Sequence, residues 1–360
     1  MSSILKKFFV ISLFSIYNSF MQIRTLEKKE YIVISKELNV HPLQSYAWGE
    51  LKQPNWSPIR LGIYEKDEAV AIMTILTKPI PFLGRKFGYI PRGITVKEAK
   101  YLGGVLKRLR DYGDELSLSH LMIDPDFDYS SWFKDHEATG KGLRIAFESF
   151  GFKVRQRQIQ PNRTVVLNLA KSEEALLADM RSKHRQYIRK SERNGVKIRQ
   201  GSTEDLQAFC RIIEEIVKAR GYIMHKSEYY KKVWNLFREG DNVKMFMAQK
   251  DGEIIGSYMI IFSSENAYEM YGGCNDKGNE LLANYLLKWE AIKYCKQIGK
   301  KFYDQWGAEH KYPGLIQFKE GFGGKIIDFL PQYTVVYNEF GFTMYKVFNK
   351  VNELRQRISL

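Results

Sequence analysis

Between residues 181 and 199 the chain sets Arg181, Lys183, Arg185, Arg189, Lys190, Arg193, Lys197 and Arg199 against a single acid, Glu192. Guanidinium groups in such density suit a phosphate backbone, because each forms fork-like hydrogen bonds and displaces counterions. At helical spacing Arg181, Arg185 and Arg189 share one face, and Tyr187 adds a ring on which a base can stack. A helix is expected here, running from Ser172-Glu173-Glu174 to a stop at Asn194-Gly195. The same pattern also describes a solvated helix face. The formal charge of the whole chain, +15, extends the choice of partner to nucleic acid, phosphorylated small molecules or an anionic membrane surface.

Charge names no reaction, and the common catalytic signatures are missing. No G-x-x-x-x-G-K-[ST] loop and no G-x-S-x-G elbow occur. Cys210, Cys274 and Cys295 are widely spaced, and the six histidines form no H-x-x-x-H or Cys/His cluster, so neither a disulfide framework nor a zinc site is expected. Glu137-x-x-Gly140-x-Gly142 faintly resembles the pyrophosphate loop of acetyl-coenzyme A acetyltransferases, but an acid stands where a basic or amide residue belongs, and the stretch reads as a turn.

The elements that must position any site alternate between strand and helix, the pattern of an α/β or α+β protein. With 44% hydrophobic and 14% aromatic residues the chain can bury real cores, which excludes disorder. Arg60 to Tyr64 and Ala69 to Thr77 read as a hairpin about an acidic turn, and Lys244 to Gln249 and Glu253 to Phe262 as another about Lys250-Asp251-Gly252. A small residue, Ala71 or Gly256, stands at the same offset in each. Leu121 to Asp124 and Lys301 to Asp304 are strands ending in an acid; Phe147 to Phe152 and Phe318 to Gly323 are helix ends closed by glycine. The expectation is two tandem domains related by duplication, joined near Gln160-Pro161-Asn162. Residues 1–20, with Lys6-Lys7 before an apolar run, read as an over-called start, a membrane-surface anchor or an export signal.

Several blocks, taken in order, resemble the FemABX family of nonribosomal peptidyltransferases. They are Gln44 to Lys52, Tyr89-Ile90-Pro91-Arg92-Gly93, Ile123-Asp124-Pro125, Lys183 to Arg189, Tyr271-Gly272-Gly273, Ala283 to Ala291, Tyr303 to Gly307 and Phe318 to Gly324. The resemblance spans about residues 21 to 330. It implies two tandem acyl-CoA N-acyltransferase-like (GNAT-like) domains, residues 21–160 with 330–360 and residues 161–329, since the C-terminal helix packs on the first, and the compact form without a coiled-coil arm. It also implies a cytoplasmic enzyme of cell-wall biogenesis, acting as a monomer without cofactor or metal. Such an enzyme moves an amino acid (glycine, alanine or serine) from aminoacyl-tRNA to the third-residue amine of a peptidoglycan precursor. The precursor is lipid II or UDP-MurNAc-pentapeptide, with peripheral contact to the inner membrane surface.

By the same resemblance, Lys52 holds the precursor's diphosphate, and Tyr229 and Tyr271 line its groove. His225, followed by Lys226, stands where members carry a phosphate-binding arginine, which is a departure. Phe318 and Lys319 match a pair near the aminoacyl end, with Lys319 stabilising the oxyanion or gripping the tRNA terminus. Asp124 matches an acid that acts as base, positions the amine or caps a turn. Arg181, Lys183, Arg185 and Arg189 take the tRNA. The rival readings are a GNAT-like N-acyltransferase using acyl-CoA or another activated donor, and a noncatalytic basic protein that binds tRNA or a membrane.

Overall fold

The structure, a computed structural model, describes residues 21–126, 129–155, 159–220 and 225–358. Residues 1–20 lie outside the described residues, so the readings of that segment are not addressed. Fifteen described strands follow one another as β1 (Met21–Thr25), β2 (Ser57–Glu65), β3 (Glu68–Pro79), β4 (Lys86–Ile90), β5 (Thr95–Val96), β6 (Leu118–Ile123), β7 (Lys153–Val154), β8 (Arg163–Asn168), β9 (Lys197–Gly201), β10 (Val243–Lys250), β11 (Glu253–Phe262), β12 (Asn266–Cys274), β13 (Phe302–Asp304), β14 (Lys325–Asp328) and β15 (Tyr333–Val336). They divide between two compact units. One holds the chain up to Gln160 and again from Leu330; the other holds Pro161–Phe329.

The sheet of the first unit runs β1-β2-β3-β4-β6-β15-β7, with β5 on β3. That of the second, read from its β9 edge, runs β9-β10-β11-β12-β13-β8-β14. The two orders correspond strand for strand, and each holds one parallel pair, β4 with β6 and β12 with β13. The last strand of each repeat is exchanged. β8 follows β7 along the chain but lies between β13 and β14, and β15 follows β14 but lies between β6 and β7. The discontinuity of the first unit follows from this exchange.

The hairpins repeat in detail. Ile63 pairs with Ala71 and Tyr64 with Ala69, so one residue bulges; Ala248 pairs with Gly256 and Gln249 with Ile254, bulging at the same place. The small residues matched by offset therefore occupy equivalent positions beside a bulge that adds local twist. At the second turn Asp251 and Gly252 both have positive φ, as a tight hairpin requires.

Each sheet carries its own core. Val105, Leu106 and Leu109 of the helix Leu102–Glu115 pack with Leu121, Ile123 and Phe147 in the first unit, and Leu286, Leu287 and Ile292 of the helix Ala283–Gln297 with Phe246, Tyr258 and Ile260 in the second. The helix Glu339–Ile358 returns to the first unit, where the Tyr345 ring lies 4.6 Å from Phe87 and 4.4 Å from His120.

Two local expectations are corrected. Gly140 and Gly142 lie inside the helix His136–Ser149, not in a turn. The basic stretch is not one helix from residue 172 but two, Glu173–Asp179 and Ser182–Arg193, separated by extended backbone at Met180 and Arg181. Arg185 explains the break. Its guanidinium donates to the carbonyls of Leu177 at 3.1 Å, Ala178 at 3.3 Å and Met180, closing the end of the first helix.

Candidate functional site

In the second unit the residues singled out by type converge on the helix Pro313–Glu320 and the loop after β13. Pro313 opens that helix, where its missing N–H costs nothing. Near the helix end, the buried Lys319 ammonium donates to three successive carbonyls, Gln305 at 2.8 Å, Trp306, and Gly307 at 2.7 Å. Gln305 returns the bond, donating from Nε2 to the Lys319 carbonyl at 2.9 Å. An ammonium has three donors, and all three are spent here. Lys319 thus clamps the loop 305–307, and a direct oxyanion role would need one of these bonds to be released. Burial, aided by the charge of Lys288, brings its pKa down to about 7. Asp304 tightens the same turn, accepting from Thr164 Oγ1 and from the Trp306 N–H at 2.6 Å.

Beneath this clamp lies a pair that sequence reading missed. Lys288 is fully buried and donates to both oxygens of Glu269, at 2.7 and 2.9 Å, and Tyr303 donates to Glu269 Oε2 at 2.6 Å. The ammonium also sits 5.3 Å from the Phe318 ring centre and 5.6 Å from that of Phe322. Phe318 is thereby held over a fixed positive charge, a favourable arrangement for an aromatic face. The available signal was a lone lysine in the apolar run Leu286-Leu287-Lys288-Trp289. His184 supports the other side of the helix, its Nε2 3.0 Å from the Phe318 carbonyl oxygen. The ring comes so close that a Cβ on Gly321 would lie 2.0 Å from it, so glycine is required there.

Tyr229 and Tyr271 are brought together, hydroxyl to hydroxyl at 3.2 Å. The exposed His225 ring stacks on Tyr229 at 3.7 Å, and Lys226, also exposed, opens the helix Ser227–Arg238. Burial pushes the Tyr271 phenol well above its ordinary range, with Tyr229 adding to the effect, so both stay neutral. A bulge after Met259 in the β11–β12 register lets Glu269 and Tyr271 meet different partners, Lys288 and the Tyr229–Tyr230 pair.

In the first unit Asp124 is closed in. Tyr89 donates to its Oδ2, Gln332 to its Oδ1 at 3.0 Å, and Gln160 to the Tyr89 hydroxyl at 3.1 Å. Burial raises its pKa, but both oxygens are engaged and only 4% of the residue is exposed. The arrangement fits a pin between β6 and the approach to β15, and a base role would need one of these bonds to be released. Lys52 ends the helix Tyr46–Lys52, with its ammonium 4.2 Å from the centre of the Trp48 ring one turn earlier. Burial brings its pKa down to about 8.

The basic helix is divided in use. Arg185 is committed to the preceding helix end, Arg199 to a two-pronged pair with Asp205 at 2.7 and 2.5 Å, and Arg181 lies 3.8 Å from Glu320. Lys183, Arg189, Lys190 and Arg193 are exposed along Ser182–Arg193. If this face takes the tRNA expected from the sequence, charge reversal at Lys183, Arg189 and Lys190 together weakens that binding at least tenfold and flattens its salt dependence. Arg185→Met is expected to act mainly through stability. Filter binding across a salt series with thermal unfolding checks both; a triple variant that binds like the parent would remove this face from the interface.

A model of the FemAB family matches residues 26–252 and 238–350. The lipid II:glycine glycyltransferase of Staphylococcus epidermidis is 19% identical over 372 residues, 82% of this chain and 88% of the relative. That of Staphylococcus aureus is 19% identical over 376 residues, with the same coverage of 82% and 88%. A crystal structure of FemX superposes with a TM-score of 0.78 at 16% identity, covering 91% of this chain and 99% of that one. A tandem GNAT protein from the clavulanic acid biosynthesis pathway gives a TM-score of 0.52 at 12% identity, covering 88% and 98%. The fold is thus two GNAT-like domains in tandem.

Proposed function

Because this chain belongs to the FemAB family, we propose that it is a tRNA-dependent aminoacyltransferase of peptidoglycan bridge formation. It adds a small amino acid (glycine, alanine or serine) to the third-residue amine of a precursor peptide, and the lipid-linked precursor is the favoured acceptor. The carrying observation is that the family match runs through both units, with relatives named for glycyl transfer to lipid II.

The amine nitrogen attacks the ester carbonyl at the 3′ end of charged tRNA. A C–N bond forms, the C–O bond to the ribose breaks, and the amine proton leaves as the 3′-oxygen takes one up. The ester is already activated, so the protein's task is positioning and charge stabilisation. In this reading Lys52 of the first unit meets the acceptor diphosphate, and within the second unit Tyr229, Tyr271, His225 and Lys226 form an aromatic and basic cluster suited to a substrate. Phe318 faces the aminoacyl end, and Lys319 holds the loop 305–307 against it. The exposed bases of Ser182–Arg193 take the tRNA.

The acyl-CoA alternative needs backbone N–H groups open to a pyrophosphate. After β12 two of these are spent: the Gly278 N–H donates to Asn275 Oδ1 at 2.9 Å, and the Asn279 N–H to the Asn275 carbonyl at 2.9 Å. Asp276 and Glu280 add charge of the wrong sign. Incubating the protein with labelled charged tRNA, labelled acetyl-CoA and a muropeptide acceptor, then following the label, tests the proposal. Label from acetyl-CoA alone, or from neither donor, would overturn it.

Lys52 gives a pH prediction. Its ammonium is present below a pKa of about 8 and lost above it. The acceptor kcat/KM, which reports the free enzyme, is expected to fall about tenfold per pH unit once that value is passed. Lys52→Arg, charged throughout, is expected to remove the part of the fall that begins near pH 8 and to leave any fall that begins near pH 7, where Lys319 loses its proton. An unchanged profile in the arginine variant would assign the titration elsewhere.

A further inference from the structure

Scattered exposed hydrophobic residues are normal on a protein surface. Phe82 is different because the fold builds its exposure. It is 100% exposed at the tip of the turn between β3 and β4, with φ at +65°, a region bulky residues rarely adopt. The residues on either side hold the turn down. Ile80 is buried, its N–H donates to the Arg85 carbonyl at 2.8 Å, and Arg85 donates to the Leu118 carbonyl at 3.0 Å. Leu83 packs into the same small cluster as Phe342 and Met344 of the helix Glu339–Ile358. Near the start of that helix Phe340 is 64% exposed and Val347 51%.

The charge around this edge is mainly basic, with Glu339 at the start of the helix as the acid next to it in sequence. No acid occurs from Lys78 to Lys86 or from Phe340 to Lys350, while Lys78, Arg85, Lys86, Lys346 and Lys350 do. Lys346 lies 4.5 Å from the centre of the Phe342 ring, and Lys78 5.9 Å from that of Trp56. An apolar tip in a basic surround matches an anionic bilayer: the ring enters the headgroup boundary and the ammoniums meet lipid phosphates. No described helix is long and apolar enough to cross a membrane.

We propose that this edge of the first unit, led by Phe82 with Lys78 and Lys346 beside it, docks on an anionic membrane surface. Trp56 joins the edge to the acceptor site. Its N–H donates to the Lys52 carbonyl at 3.2 Å, and its ring lies 5.4 Å from Phe87 within the Leu83 cluster. A diphosphate at Lys52 would then lie near the bilayer surface, where the diphosphate of a lipid-linked acceptor resides. This last step rests on the function proposed above; the docking surface does not.

The test uses the full chain and no donor or acceptor, so its outcome is independent of transferase activity. Binding is measured by co-sedimentation with vesicles of phosphatidylglycerol and phosphatidylcholine in equal parts, and with phosphatidylcholine alone. The parent is expected to bind the anionic vesicles and release as salt rises. Phe82→Ser is expected to lower the partition coefficient roughly tenfold, and Lys78→Glu with Lys346→Glu by a similar factor. Phe82→Trp is expected to add an emission blue shift on anionic vesicles, beyond any shift of the parent. Failure of the parent to bind, equal binding by Phe82→Ser, or equal binding to neutral vesicles would each overturn the proposal. If docking holds while no aminoacyl group is transferred, the functional reading fails and the surface stands.

Discussion

Lys319→Met is expected to lower kcat for aminoacyl transfer by roughly a hundredfold or more, with charged tRNA and acceptor both saturating. The expectation comes from what the ammonium holds. Three successive carbonyls, of Gln305, Trp306 and Gly307, converge on it inside the protein. Methionine keeps much of the length and none of the donors, leaving those carbonyls unsatisfied and mutually repulsive. The loop then moves, and a displacement of about an ångström in a positioning element suffices for a loss of this size. The clamp makes a second expectation that an oxyanion donor would not: amide hydrogen exchange at residues 305–308 should speed up in the variant, without substrates. A normal kcat would remove Lys319 from the chemical step. A low kcat with unchanged exchange would return it to direct contact with the oxyanion. A change confined to the KM for tRNA would make it a grip on the donor.

The sequence made repeating features legible because they depend on local rules. Two hairpins, two strands ending in Asp124 and Asp304, and two glycine-closed helix ends each follow from turn chemistry and periodicity. Together they disclose a duplication. The exchange of β8 and β15 was not legible, because nothing in Arg163–Asn168 or Tyr333–Val336 states which sheet it will join. Site residues divide in the same way. Tyr229, Tyr271 and Phe318, expected at the site, each pack against other aromatic rings. Arg185, Lys319 and Asp124 were recognised by type, yet each is turned inward onto backbone or side-chain partners of the fold. A charged residue's identity shows that it has a partner; only the tertiary structure shows whether that partner is substrate or protein.

The buried pair under Phe318 carries the largest expected effect on stability. Lys288 is 0% exposed and Glu269 9%. Each ion has surrendered its hydration to the other, so removing one leaves a charge with no counter-ion in an apolar surround. Lys288→Met or Glu269→Gln alone is expected to cost about 3–5 kcal/mol, whereas replacing both with apolar residues should cost much less than the sum. Urea unfolding of the two single variants and of Lys288→Met/Glu269→Leu measures the cycle. The sign of the pH dependence separates the singles. Burial already lowers the Lys288 pKa, and Glu269 is the group that opposes this. Without Glu269 the folded state holds that proton still less readily than the unfolded chain, so it binds fewer protons and stability rises with pH. The deficit of Glu269→Gln should therefore narrow as pH rises toward about 10.4, the value at which the lysine of the unfolded chain also loses its proton. Singles that cost under about 1 kcal/mol, or a double variant equal to their sum, would show that the pair is not the coupled, desolvated unit its geometry indicates.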